Sequence, residues 1–465
     1  MLKHMPAHDL RQFLSLLQKN GDLLTVSNEV DLRYEIGEWL RQADRAHAPA
    51  LSFARIKGHS MKVVGNLVGT KKRLALAFGL THEEKLLETY RKRRGTAGKA
   101  RRVKYAPVKE IVLKNSKSID LNSLPIPVYH EGDGGPYITC GILTARDPET
   151  GSRSMGLHRL QVKDRRRLGV HLANPPISRF VARAEELNRP LPVAISLGVH
   201  PILLLASIVS SPSEDKVAIA GSLLGSPLAL AKCETSEVDI PAHAEMVIEG
   251  RVLPNIREPE GPFGETSGYY FSDQSHVIEV TAITHRKDPI LQALHPTSQE
   301  VALLCGPAGE AEIIQMLREK GFAVQDLVLS AAAGRTHVAL SLRKRHDSDA
   351  KQMLHLVLAG VPYIKHAVVV DTDVDVRDPQ DLDWAIATRV QGDEDLVMIT
   401  GLRGRSIDPS AKDGMLTAKV GIDATVPIAQ RHRFRRVSVP VEIKQSVAKH
   451  LASIISVNPT NRATD

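Results

Sequence analysis

Apolar residues recur with helical spacing at the start of the chain. Leu10, Phe13, Leu14 and Leu17 form one stripe, Asp9 stands where a cap is needed, and Gly21 ends the run. A second helix is predicted with Leu32, Ile36, Leu40 and Ala43 on one face. Ala50 to Phe53 and Met61 to Val68 are short apolar runs that read as strands. The texture changes near Ile119. LPIPVYH, GGPYITCGILTARDP and LGVHLA are strand-like pieces separated by Gly, Pro and Asp turns. Ile177 to Leu187 reads as helix, LPVAISLGVHPILLLAS as strand, and DIPAHAEMVIEGRVL continues it. A third texture starts at Glu300. Glu300 to Lys320 and Asp347 to Leu358 read as helices, while AVQDLVLS, THVALSLR and HAVVVD read as strands. Asp378 and Pro379 supply a cap and first turn for a helix through Ala387.

The pattern predicts a multidomain α+β / α/β protein. Residues 1–114 form an N-terminal α/β domain with a basic connector, and 115–300 a β-rich domain, read as a barrel. Residues 301–437 form a C-terminal α/β domain, and 438–465 a helix with a frayed tail. Length agrees: 465 residues at about 150 per domain suggest three. With 42% hydrophobic residues the chain can bury several cores, which excludes wholesale disorder; with 4% aromatics those cores are aliphatic.

Charge adds less. Lys and Arg exceed Asp and Glu by 61 − 53 = 8, which admits anionic partners without choosing among them. Arg91 to Lys104 crowd eight of these cations into one polar stretch. With no aromatic residues interleaved, a solvated connector is the better reading than a nucleic-acid arm. No run of about 18 apolar residues exists, so no membrane span is expected. Cys140, Cys233 and Cys305 lie far apart, against a disulfide framework or zinc ribbon. With no apolar h-region at the amino terminus, the expected location is cytoplasmic.

Candidate chemistry concentrates in EPEGPFGETSGYY. Glu260 and Glu265 bracket Gly261, Pro262, Phe263 and Gly264, which predicts a tight irregular loop. Two carboxylates fixed close together need a cation, or serve as an acid/base pair; the alternative is a surface turn with solvated glutamates. In SMGLHRLQV, Arg159 lies in an apolar strand-like context and needs an anionic partner. Glu260 and Glu265 are candidates; an ordinary inter-strand ion pair is the alternative. The aspartates of DTDVDVRD lack the turn glycine and terminal glutamate of a calcium loop, so they read as a strand end and helix cap.

DLNSLPIPVYHEGDGGPYIT, MGLHRLQ, AKCETSEVDIPAHAEMVIEG, EGPFGETSGYY, DWAIATR and KVGIDAT together resemble the UbiD family of decarboxylases, over roughly residues 5–430. The resemblance implies a central split β-barrel related to flavin reductases and a C-terminal arm used in a homodimer. It implies prenylated FMN, made by a separate flavin prenyltransferase, and reversible non-oxidative decarboxylation of aromatic or α,β-unsaturated acids. The family's Arg–Glu–Glu network falls on Arg159, Glu260 and Glu265, with Glu265 as proton donor. Gly156, Leu157 and His158 fall where the backbone passes the flavin, and Lys419 matches a recurrent lysine, which makes it, with Arg159, a further expected cofactor contact. The family's divalent metal, usually manganese, has its Asn, His and Glu ligands at the positions of Ser154, Ile177 and Lys216, so no metal ligand is assigned; Glu214, Asp215 and His171 stand nearby. Lys216 is then expected to anchor the flavin phosphate, with Ser154 and Ser207 adding hydrogen bonds. The alternatives are a decarboxylase of a phosphorylated aliphatic unsaturated acid, or a catalytically inactive flavin-binding member. Partnership with nucleic acid ranks last.

Overall fold

The computed structural model describes residues 7–96, 98–172, 174–209, 215–330, 334–412 and 415–457. Helix α1 (Leu10–Lys19) begins where expected: the Asp9 carboxylate accepts from the Gln12 amide at 2.8 Å, and Leu10, Phe13 and Leu17 are buried. Strand β1 (Leu23–Val30), α2 (Glu35–Arg45), β2 (Ala50–Ile56) and β3 (Lys62–Gly65) follow. Helices α3 (Lys71–Ala77) and α4 (Leu86–Arg94) and the short β4 (Ala100–Arg102) complete the first region. The basic stretch keeps most of its cations exposed, as a solvated connector would, but it is also anchored. Arg93 donates to the Leu223 carbonyl at 2.8 Å, Arg102 pairs with Asp239 at 2.9 Å, and Tyr90 is buried. Ordered acceptors at these points fold it onto its neighbours.

The middle region contains β5 (Ile111–Leu113), β6 (Tyr137–Arg146), β7 (Arg153–Val162), β8 (Arg167–Val170), α5 (Ile177–Glu186) and β9 (Leu191–Leu197). Helices α6 (Pro201–Ile208) and α7 (Lys216–Leu224) precede β10 (Leu228–Lys232), β11 (Asp239–Pro241), β12 (Met246–Gly264), β13 (Tyr270–His285) and β14 (Ile290–Ala293). Hydrogen bonding runs β12-β9-β6-β7-β8-β13, and β13 pairs back to β12, closing a six-stranded antiparallel barrel. Strand β14 leaves it to pair in parallel with β3, so the first sheet is ordered β1-β2-β3-β14.

Two expectations are corrected here. PILLLAS is not strand but α6: Pro201 sits at the first helical position, and His200 Nδ1 accepts from the Ile202 amide at 3.3 Å. Its residues from Pro201 to Ser207 are all buried, so the run has no polar face from which a period can be read. EGPFG is not an aperiodic loop but the end of β12, with Glu265 directly after it, and it pairs with β13 through a register shift between Glu260 and Phe263. A bulge there absorbs the Gly-Pro irregularity without ending the ladder.

The C-terminal region alternates α8 (Gln299–Glu319), β15 (Val324–Leu329), β16 (His337–Leu342), α9 (Asp349–Gly360), β17 (His366–Asp371), α10 (Pro379–Arg389), β18 (Leu396–Arg403) and β19 (Leu416–Ala424). Its mixed sheet is ordered β15-β16-β17-β19-β18, parallel at its centre and antiparallel at both edges. The final helix α11 (Val441–Val457) exposes Ile443, Val447, Leu451 and Ile454 on one face; residues 458–465 of the expected tail lie outside the described residues.

Candidate active site

Strand β7 places Arg159 inside the barrel wall, and the β12 end brings two acids to it. Arg159 grips Glu260 with two hydrogen bonds, Nε to Oε1 at 3.1 Å and Nη2 to Oε2 at 2.8 Å, and its Nη1 donates to Glu265 Oε1. The bidentate fork fixes the plane of the guanidinium. Glu260 is 1% exposed and Glu265 9%, so the trio is withdrawn from bulk water. Burial works against the charge of Arg159, but its bond to Glu260 and the charge of Glu265 hold it above its ordinary value. The Phe263 and Phe271 rings lie 5.4 and 5.0 Å from the guanidinium carbon and cover it.

The strand end is held by a second set of bonds. The Asp133 carboxylate accepts from the Gly264 amide at 2.9 Å, and the Pro262 carbonyl accepts from the Gly134 amide at 2.7 Å. Gln161 bridges both segments, donating to the Gly134 carbonyl at 2.9 Å and accepting from the Gly261 amide at 3.3 Å. GDGG and EGPFGE therefore position each other. Gly261 is required: its φ is +108°, and a Cβ there would meet the Phe271 carbonyl at 2.7 Å.

Tyr137 belongs to the site although it was not singled out from the sequence. Its ring stacks on Phe263 at 4.3 Å, and burial, with the adjacent Glu260 charge, drives its hydroxyl pKa far up. The hydroxyl is thus held neutral beside Glu260. The signal was its place in GGPYIT, but an apolar strand gives a tyrosine no distinguishing period.

A second cluster forms where β7 starts. Ser154 is 1% exposed, and its hydroxyl has no hydrogen-bond partner. Lys216 opens α7 and is 6% exposed; its ammonium donates to the Ser207 carbonyl at 2.9 Å. Burial pushes Lys216 down to about 8. The Ser207 hydroxyl turns instead to the Leu204 carbonyl at 2.7 Å, so it is the backbone of Ser207 that faces Lys216. Arg153 ties β7 to the α7 cap, Asp215, at 2.6 Å. Gly156 admits the His158 ring: a Cβ would lie 2.7 Å from His158 Nε2. Burial, helped by Lys216 and Arg159, pushes His158 down to about 4, so it is neutral near pH 7. Leu157 packs against the core beside α6 and α7.

Lys419 has a different role from the one the resemblance suggested. Its ammonium donates to the carbonyls of Leu358, Val361 and Pro362 at 2.9, 3.0 and 3.1 Å. An ammonium has three donors, and all three are used closing the end of α9. The residues that could have restored a metal ligand are also engaged: His171 pairs with Asp273 at 3.2 Å and Asp215 caps α7, while Glu214 lies outside the described residues. Among the described residues, no group of three or more His, Cys, Asp or Glu is placed to hold a metal.

Family models for the 3-octaprenyl-4-hydroxybenzoate carboxy-lyase match along the chain: the N-terminal domain at 14–92, the Rift-related domain at 100–299 and the C-terminal domain at 302–424. The chain belongs to the UbiD family of carboxy-lyases. It is 34% identical to the anhydromevalonate phosphate decarboxylase of Methanothermobacter thermautotrophicus, over 92% of this chain and 99% of that one. It is 31% identical to the phenolic acid decarboxylase of Bacillus subtilis, over 92% and 94%. The UbiD-class enzyme HmfF of Pelotomaculum thermopropionicum, solved with FMN, superposes with a TM-score of 0.88 at 40% identity, over 93% of this chain and 98% of that one. An evolved dimeric form of that enzyme was solved with prenylated FMN. Among the described residues, no helix is long and apolar enough to cross a membrane.

Proposed function

We propose that the protein performs reversible, non-oxidative decarboxylation of an aromatic or α,β-unsaturated carboxylic acid with prenylated FMN. The observation that carries this reading is the bidentate Arg159–Glu260 pair sharing its guanidinium with Glu265 in a buried site. Loss of CO2 from an sp² carbon leaves an unstable anion, and the modified flavin, when bound, supplies the electron sink. The residues around Lys216 suit its phosphate. The buried Lys216 ammonium at the start of α7 has one protein acceptor, and the buried Ser154 hydroxyl, next to the Arg153–Asp215 pair that ties β7 to α7, has no partner. Gly156, Leu157 and His158 then run beside the cofactor.

The protein's own groups divide the remaining work. Arg159 orients the substrate carboxylate by charge and planarity. Glu260, with both oxygens on Arg159, positions that arginine. Glu265 keeps Oε2 toward the Thr266 amide at 3.1 Å, and it delivers a proton to the carbon that has lost CO2. Phe263, Phe271 and Tyr137 keep water away. A phosphorylated aliphatic acid is the second reading, favoured by the similarity to an anhydromevalonate phosphate decarboxylase. The exposed apolar face of α11 supports a homo-oligomer, since Val447, Leu451 and Ile454 are each more than half exposed.

The test is co-expression with a flavin prenyltransferase, an absorbance spectrum of the purified protein, and CO2 release from a panel of acids. Bound modified flavin with release of CO2 is expected. Bound flavin with no release from any acid supports the inactive member instead.

A further inference from the structure

A cavity of about 350 Å³ lies where the start of α1 meets the α6–α7 pair, a volume at the small end of the range for ligand sites. Leu203, Leu224 and Leu228 give it an apolar wall, and Asp9, Arg101, His200 and His243 bring polar groups to it. Helices α6 and α7 run antiparallel. At one end of the pair Lys216 meets the Ser207 carbonyl; at the other Leu203 and Leu224 line the cavity. The cavity is therefore separate from the proposed phosphate anchor, and no residue lining it takes part in the proposed mechanism.

His200 is 1% exposed, and two neighbours fix its ring. Nδ1 accepts from the Ile202 amide at 3.3 Å, and the Phe13 ring meets it edge-on, with centroids 5.4 Å apart. Burial pushes His200 down to about 3, so the ring is neutral and carries its one proton on Nε2. That buried N–H has no acceptor among the described residues. With Nδ1 turned to the backbone, the Nε2 edge is the one left to the cavity. A buried donor without an acceptor is costly, and a ligand oxygen removes the cost. Asp9 does not supply that oxygen: its carboxylate accepts from the Gln12 amide at 2.8 Å and pairs with Arg286 at 3.4 Å. Arg101 is exposed and makes no ion pair among the described residues. It is the register partner of Ala229, and both residues line the cavity. The helix starts of α1 and α6 add partial positive charge. Three histidines near Asp9 do not make a metal site. His8 Nδ1 lies against the Ser226 hydroxyl at 3.2 Å, His200 Nδ1 is spent on α6, and no metal-holding group of three occurs among the described residues.

We propose that this cavity binds a small organic acid, its carboxylate taking the His200 Nε2–H and the charge of Arg101, its apolar body lying against Leu203, Leu224 and Leu228. A carboxylate suits the site better than a phosphate. One neutral buried donor and one cation at the rim are too few for a dianion, whereas the leucine wall rewards an apolar body. The site is independent of the reaction proposed above: protein that never releases CO2 would still bind the acid here.

The experiment is a calorimetric titration of FMN-loaded protein with cyclohexanecarboxylate, a saturated acid with no sp² carbon to decarboxylate. Saturable binding is expected, with cyclohexanecarboxamide at least about tenfold weaker because it lacks the charge. His200→Asn keeps an oxygen to cap the Ile202 amide but withdraws the ring N–H, and it should weaken the acid at least about tenfold. Arg101→Gln should weaken it by a similar factor, about tenfold, without touching α6. Ala229→Phe fills the cavity and should abolish binding. Retained FMN in each variant shows that the fold is kept, and should His200→Asn fail to fold, the other two carry the test. Three results overturn the site: no saturable binding, an amide that binds as tightly as the acid, or acid binding unchanged by Arg101→Gln and Ala229→Phe. The last of these would place the acid in the barrel instead.

Discussion

Replacing Lys216 by Met should make the flavin-free protein more stable and the flavin-binding protein worse. The lysine is 6% exposed, and burial brings it from 10.5 to about 8. A fall of that size corresponds to about 3 kcal/mol, at roughly 1.4 kcal/mol for each tenfold change in proton affinity. The sign follows from proton counting. Between pH 8 and 10.5 the unfolded chain binds the proton that the folded chain has released, so stability rises with pH across that window. Below pH 8 both states are protonated and the full cost is present. Glu312 attracts this ammonium, and the neutral His158 faces it, titrating far below the window at about 4. Arg153 and Asp215 neutralise each other at the same helix end. Lys419 also titrates near 8, so the wild-type curve alone is ambiguous. The difference between wild type and Lys216→Met isolates the one residue. Unfolding of flavin-free protein at pH 7 to 10.5 should show the variant ahead by about 3 kcal/mol at pH 7, with the gap closing by the top of the range. FMN should abolish the wild-type slope, because a bound phosphate returns the charge to favour. Flavin retained through gel filtration should fall at least about tenfold in the variant. An equally stable variant that keeps its flavin would refute the anchor. So would one manganese per chain in active wild-type protein.

Three further outcomes are expected. Glu265→Gln should retain flavin and lose at least about 10²-fold in turnover, the scale of a lost general acid; single-turnover CO2 release measures it, and near-normal rates remove Glu265 from the mechanism. Gly261→Ala should cost about 1–3 kcal/mol, because both its φ of +108° and the Phe271 carbonyl 2.7 Å from the new Cβ oppose it; thermal unfolding reads the loss. Lys419→Met should leave flavin content unchanged, because its ammonium is spent on the carbonyls of Leu358, Val361 and Pro362; a loss of flavin instead would return Lys419 to the cofactor site.

What the sequence made legible follows from how each residue signals its environment. Arg159 was readable because a cation in an apolar strand must have an anion, and Glu260 and Glu265 were readable because two acids on a short segment must have a cation. Each half demanded the other, and the structure brings them together. The helices with a wet face were readable for a similar reason: α1 and α2 alternate buried and exposed positions. Where every side is buried the alternation vanishes, and α6 was taken for strand. Lys419 misled because a lysine in a strand announces only a need for acceptors. A helix end satisfies that need with carbonyls as well as a phosphate would. The place of Arg405 was silent for the opposite reason. Arg405 follows β18, where a cation is unremarkable, and only the fold brings it to the Gly334 carbonyl. An unmet demand inside one segment can be read along the chain; a demand created by two segments meeting can be read only in space.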